Sequence, residues 1–273
     1  MKNPLSIALA DSILARFPDP DDIPYRRWCY VQGYVLCGFE KLWLLTRDPR
    51  YFAYLRRFAD QHVLPDGQVR DFTGESLDDI MAGTVLVAAY QHTGEQKYRL
   101  AAERVRAAFA DYPRNSDGGF WHNRNLPHEM WIDGVFMGMM FLTRYGAVIG
   151  EEEACFSEAA HQIATMAGHC LKPESGLYLH AYDESKSVFW ADPRTGLSPE
   201  VWSEGLGWYA LILVETLERM PAGHPGRAPV QQIWRNLAGG LLKAQDPRSG
   251  LWFQVVDKGD RADNWPDTSG SAM

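Results

Sequence analysis

Apolar residues recur with helical spacing along almost the whole chain, in segments of two kinds that alternate. Residues 49–63 place Tyr51, Phe52, Leu55, Phe58 and Ala59 on one face and Arg50, Arg56, Arg57 and Asp60 on the other, the pattern of a helix half in solvent. Residues 95–110 and 228–244 repeat that plan, with Pro229 suited to a first helical turn. Between these lie 30–45, 79–91, 131–145 and 202–217, which carry little polar face. Such helices must be surrounded by protein, and none is long enough to span a bilayer.

The starts of the apolar segments, near Trp28, Leu77, Trp131 and Trp202, recur at intervals of 49, 54 and 71 residues. A repeated hairpin of one inner and one outer helix accounts for this spacing. The connectors into inner helices also resemble one another: Ser175-Gly176-Leu177-Tyr178 parallels Ser249-Gly250-Leu251-Trp252, and Gly118-Gly119-Phe120-Trp121-His122 is shorter. They read as small extended ribbons bounded by glycine turns. Parallel inner helices would bring these ribbons to one end of a bundle, so the pattern predicts an all-α toroid of hairpins formed by residues 1–273 as one domain. About nine helices are expected, one of them near residues 4–16. Thr268 or Ser269 would cap a fifth inner helix that does not follow, so the toroid is expected to be incomplete at its C-terminal end.

A net charge of -8, from 35 acidic and 27 basic residues, disfavours nucleic acid and anionic membranes as partners. Residues 1–15 make a poor signal peptide, which points to a cytoplasmic protein. Cys29, Cys37, Cys155 and Cys170 form no CxxC pair and fall in apolar runs, where they are expected as small buried hydrophobes. The chain is rich in rings, with 10 Trp, 12 Tyr and 12 Phe. Core packing uses many of them, but several Trp lie in glycine-rich connectors, where an indole suits the face of a sugar.

No phosphate loop, zinc helix or nucleophile elbow is present, which leaves carboxylates, imidazoles and indoles at the connector end. Asp133 opens a buried helix beside Trp131, where an apolar neighbour would raise a carboxyl pKa toward useful proton donation. Helix capping or a helix-dipole contact explains a carboxylate there equally well. Asp78 and Asp79 open another inner helix, and Ser76-Leu77-Asp78-Asp79 also fits a capping box. His122 and His180 occupy corresponding connectors and can bind a sugar hydroxyl or carboxylate, or simply hydrogen-bond locally.

Three segments in this order, Trp28-Cys29-Tyr30-Val31-Gln32-Gly33, Leu77-Asp78-Asp79-Ile80-Met81-Ala82-Gly83 and Met130-Trp131-Ile132-Asp133-Gly134-Val135-Phe136-Met137-Gly138, together resemble glycoside hydrolase family 105, the unsaturated rhamnogalacturonyl hydrolases. The likeness continues through His180, Trp190-Ala191-Asp192-Pro193, Gly207-Trp208 and the segment 268–273. The resemblance implies an (α/α)6 barrel without metal or organic cofactor. It also implies exo-acting removal of a 4,5-unsaturated uronic acid from the non-reducing end of pectin-derived oligosaccharides. The chemistry implied is hydration of the C4–C5 double bond, with Asp133 protonating C4 and assisting water addition at C5; the resulting hemiketal then opens and releases the aglycone. Asp78, and not Asp79, matches the second active-site aspartate. Tyr30, His122, Trp131, His180 and Trp208 match positions that line the pocket.

One departure stands out: Glu204 replaces an arginine common in the loop before Gly207-Trp208. A glutamate there would repel a carboxylate, so either the aglycone differs or Glu204 points away from the pocket. Three alternatives fit less closely. They are an unsaturated glucuronyl hydrolase of glycoside hydrolase family 88 acting on glycosaminoglycan-type disaccharides, a sugar 2-epimerase using His122 and His180 as acid and base, and an inactive sugar-binding barrel.

Overall fold

The computed structural model describes residues 4–25 and 27–273. The chain divides into two compact units, one running to Asp111 and including Val148–Gly150, the other comprising Tyr112–Ala147 and Glu151–Met273.

The first unit holds α1 (Pro4–Arg16), a 3-10 turn at Pro20–Asp22, α2 (Tyr30–Thr46), α3 (Pro49–His62), α4 (Leu77–Met81), α5 (Thr84–Thr93) and α6 (Gln96–Ala107). Helix α3 begins where Asp48 accepts a hydrogen bond from the Arg50 amide at 3.0 Å and Pro49 fills the first position. It buries Tyr51, Tyr54, Leu55, Phe58 and Ala59 while Arg56 and Arg57 stay exposed, the division that its periodicity predicts. The apolar segment 79–91 is not one helix. Around Ala82 and Gly83 the backbone closes three-residue bonds (Gly83 N to Ile80 O at 2.9 Å, Leu86 N to Gly83 O at 3.0 Å), and the Thr84 hydroxyl donates to Met81 O at 2.8 Å. At this break α2 approaches so closely that a Cβ on Gly33 would lie 2.9 Å from Ala82 Cα, which explains the glycine.

The second unit holds β1 (Glu129–Trp131), α7 (Ile132–Val148), α8 (Glu152–Cys170), β2 (Leu171–Lys172), β3 (Leu177–Tyr178), β4 (Ala181–Asp183), α9 (Ser203–Arg219), α10 (Arg227–Ala244), β5 (Trp252–Phe253), β6 (Pro266–Asp267) and α11 (Thr268–Ala272). The expected ribbons are present as antiparallel pairs, β1 with β4, β2 with β3 and β5 with β6. Gly176 turns the β2–β3 pair at φ of +78°, Gly118 turns the bridge between Arg114 and Phe120 at +89°, and Gly250 precedes β5 at +71°. Helices α7 and α9 share a core in which Phe136 packs on Trp208, ring centroids 4.6 Å apart, and Arg144 Nε meets Glu215 Oε1 at 2.9 Å. The Tyr209 hydroxyl joins α9 to α8 by donating to Ile163 O at 2.7 Å.

Among the described residues there are eleven α-helical segments against about nine expected, because 79–91 divides into α4 and α5 and because α11 forms. The cap of α11 is also corrected. Neither Thr268 nor Ser269 fills it; the Asp267 carboxylate does, accepting from the Gly270 amide at 2.7 Å. All four cysteines are buried and none forms a disulfide, as expected of small hydrophobes. Among the described residues no helix is long and apolar enough to cross a membrane.

Candidate active site

A cavity of ≈ 520 Å³ lies within the second unit, lined by Trp131, Asp133, His180, Trp190, Glu200 and Trp202, with Ser198, Pro199 and Gln254 completing much of its wall. Strand pairing builds it. In β1–β4 Trp131 sits opposite Ala181, and the Ile132 amide that begins α7 donates to His180 O at 3.0 Å. The His180 amide in turn donates to Glu200 O at 3.1 Å, and Trp202 bridges to Val255. The first turn of α7, the β4 connector and the segment before α9 are thereby fixed around one space.

Asp133 lies in the first turn of α7, where the helix dipole favours a carboxylate. Its Oδ2 is 3.5 Å from His180 Nδ1, and both side chains are largely buried. The imidazole of His180 meets Trp202 edge-on, centroids 5.0 Å apart at 87°, and Trp131 at 5.8 Å. A Cβ on Gly205 would lie 3.0 Å from His180 Nδ1, so glycine permits α9 to begin against this ring. The arrangement places a carboxyl that can exchange a proton, one imidazole and three indole faces on a single cavity. Among the described residues no cluster of three or more His, Cys, Asp or Glu is placed to hold a metal ion.

His122 is 7% exposed and stacks on Trp131, centroids 4.5 Å apart at 8°. It backs the indole and is not among the residues lining this cavity. Burial lowers both His122 and His180 from the ordinary histidine value to about 4; for His122 the nearby Asp133 opposes the shift and His180 adds to it. Both rings are therefore neutral near pH 7. The unfolded chain protonates at these positions near pH 6.5 and the folded one only near 4, so folding stability is unaffected by them above that window and falls as pH drops through it. The expected loss is about 2–3 kcal/mol per histidine at the acid end. Urea midpoints taken from about pH 7 down to about pH 4.5 read this. His122→Phe, which keeps a ring on Trp131, should flatten the slope; a midpoint constant across the range would contradict the assignment.

Trp208 is 3% exposed and packs on Phe136 in the α7–α9 core, outside the lining of this cavity. Glu204 also lies off it: its Oε2 accepts from the Ser269 hydroxyl at 2.8 Å, at the first turn of α11. That placement agrees with a Glu204 turned away from the site. Tyr30 and Asp78 belong to the first unit. Tyr30 starts α2 and packs edge-on with Tyr25, centroids 6.0 Å apart. Asp78 is half-buried in the first turn of α4, where Ser76 Oγ caps by accepting from the Asp78 amide at 3.1 Å. Asp79 is the more buried of the two; it accepts from the Thr73 hydroxyl at 2.8 Å and lines a smaller cavity of ≈ 350 Å³ with Arg27, Trp28, Asp71 and Thr73.

Sequence reasoning missed Trp190, Glu200, Trp202 and Gln254 as lining residues. The clustering of tryptophans in connectors was a usable signal for the two indoles. Nothing local marks Glu200, whose carboxylate faces Lys258 Nζ at 2.5 Å and Arg261 Nη1 at 3.3 Å.

The model of Glycosyl Hydrolase Family 88 matches residues 6–273. Among solved structures, a family 105 glycoside hydrolase from C. acetobutylicum ATCC 824 superposes with a TM-score of 0.92 at 35% identity, over 98% of this chain and 74% of that one. Protein Atu3128 of Agrobacterium fabrum is 37% identical over 138 residues, 50% of this chain and 57% of that protein. The unsaturated rhamnogalacturonyl hydrolase YesR of Bacillus subtilis is 26% identical over 239 residues, 85% of this chain and 65% of that protein. The alignments thus span less than two thirds of the length of these curated relatives. The expected all-α fold of the (α/α)6-barrel class is borne out by these likenesses. Matched by the family model along nearly its whole length, the chain belongs to Glycosyl Hydrolase Family 88 and to the family 105 glycoside hydrolases that resemble it in sequence and fold.

Proposed function

We propose that this protein is a glycosidase that removes a 4,5-unsaturated uronic acid from the non-reducing end of pectin-derived, rhamnogalacturonan-type oligosaccharides by hydrating the C4–C5 double bond. The observation that carries the reading is the Asp133 carboxyl, 3.5 Å from His180 and in a cavity lined by three indoles. Asp133 in its acid form delivers a proton to C4 as water adds at C5, and its carboxylate takes up the proton that the water loses. The product is a hemiketal, which opens and releases the aglycone. His180, neutral near pH 7, binds and orients by hydrogen bonding. Trp131, Trp190 and Trp202 offer ring faces to the sugar.

An epimerase would need two imidazoles on the substrate; of His122 and His180, only the latter lines the cavity. The test follows the ultraviolet absorbance of the conjugated double bond with unsaturated rhamnogalacturonan and glycosaminoglycan disaccharides side by side. Faster loss with the former is expected, and preference for the latter would reassign the aglycone. Interconversion of mannose-type and glucose-type sugars without consumption of either disaccharide would defeat the hydrolase reading. Asp78→Asn in the same assay tests the second aspartate that the resemblance assigns.

A further inference from the structure

Two large rings stand in solvent on the loops that border the cavity. Phe189 is 99% exposed and Trp265 57%. Phe189 and Trp190 are the corner residues of a turn closed by the Ala191 amide on Val188 O at 3.1 Å, and Trp190 lines the cavity. Trp265 directly precedes β6, and its carbonyl accepts from the amide of Gln254, a lining residue, at 2.8 Å. The Asn264 side chain just before it accepts from the amide of Val255, also in the lining, at 3.1 Å. Single exposed apolar residues are commonplace on protein surfaces; what sets these two apart is that each adjoins the wall of the cavity.

Both loops are fixed without help from these rings. Asp183 is fully buried and accepts from the Ser185, Ser187 and Val188 amides at 2.9, 2.8 and 3.1 Å. Lys186 Nζ donates to Arg194 O at 2.9 Å, Asp192 Oδ1 accepts from the Arg194 and Thr195 amides at 2.8 and 2.9 Å, and the Asp183 amide closes the loop on Gly196 O at 2.8 Å. On the other side, Asn264 Nδ2 donates to Val255 O at 2.9 Å and to Lys258 O at 2.8 Å. A ring that buries almost nothing adds little to folding. Carried on a pinned loop, it is already in place for a ligand, so that binding to it orders little chain.

We propose that Phe189 and Trp265 are outer sugar platforms, on which a substrate longer than a disaccharide stacks the rings of its aglycone beyond the one attached to the departing uronic acid. This rests on the reading of the cavity as the site of that uronic acid. The occupant is the substrate's own chain as it leaves the cavity. Phe189 offers a flat apolar face to a pyranose, and the Trp265 indole adds one hydrogen-bond donor at its edge. Neither residue lines the cavity itself, so both act on the binding of long substrates and not on proton transfer.

Initial rates on unsaturated rhamnogalacturonan disaccharide and tetrasaccharide test this. Wild-type KM should fall about three- to tenfold from the shorter to the longer substrate. Phe189→Ala and Trp265→Ala should each raise the tetrasaccharide KM about three- to fivefold, far more than that of the disaccharide, with kcat nearly constant. The double variant should lose the length preference. Should Trp265→Ala lose its melting transition, Phe189→Ala decides, since a ring this exposed can be removed with little effect on folding. A wild-type KM independent of length, or a Phe189→Ala effect equal on both substrates, would overturn the inference. If the wild type consumes neither substrate, the functional reading fails, and calorimetric titration with the saturated tetrasaccharide decides on the platforms. Weaker binding by Phe189→Ala than by wild type supports them; equal binding, or none by the wild type, overturns them.

Discussion

Asp133→Asn is expected to lower kcat by about 10² to 10⁴ on the unsaturated disaccharide, with KM changed far less. The amide keeps the shape of the carboxyl in the first turn of α7 but has no proton to deliver to C4 and cannot accept one from water. The imidazole of His180, 3.5 Å away, cannot take over. Burial holds its pKa at about 4, so near pH 7 its ring is neutral, and giving up a proton would create an unstable imidazolide. His180→Asn should therefore cost less than Asp133→Asn, through lost orientation and not lost acidity. A melting midpoint for Asp133→Asn within a few degrees of wild type would assign the loss to chemistry. Near-normal turnover would remove Asp133 from the proton-transfer role.

The helices of this fold were legible because burial writes itself into periodicity. The segments 30–45, 131–145 and 202–217 lack a polar face, and they became α2, α7 and α9 with bounds shifted by no more than three residues. The break in 79–91 was not legible, since Ala82 and Gly83 are tolerated in helices; the close approach of Gly33 and the Thr84 hydroxyl bond, both tertiary or conformational facts, decide it. At the site, Asp133 and His180 sit together because the α7 start is hydrogen-bonded to the β4 connector. The pairing of Trp202 with Val255 and of Tyr182 with Leu197, which shapes the rest of the cavity, depends on residues far apart in the chain and leaves no local pattern. His122 and Trp208 show how packing partners escape the sequence. Both are named as site residues from the sequence alone; in the structure His122 stacks on Trp131 and Trp208 packs on Phe136, contacts that no local pattern announces.

Removing the acid from the buried pair between α7 and α9 is expected to be the most destabilising single change. Arg144 and Glu215 have side chains only 3% and 4% exposed, and Arg219 Nε reaches the same Glu215 oxygen at 2.8 Å from the solvent side. Glu215→Leu leaves the Arg144 guanidinium charged, since it does not deprotonate, in a space that excludes water. A loss of about 3–5 kcal/mol follows, read as a lower midpoint in equilibrium urea unfolding. Glu215→Gln keeps an acceptor and should lose less. Replacing both partners, Arg144→Met/Glu215→Leu, removes both buried charges and should recover most of the stability. A loss below about 1 kcal/mol for Glu215→Leu would mean that water reaches the pair. Arg144 follows Asp133 by about 16 Å along α7, so below its melting range Glu215→Leu should turn over substrate normally. A fall in kcat of the fully folded variant would instead mean that this ion pair sets the position of α7, and through it the reach of Asp133.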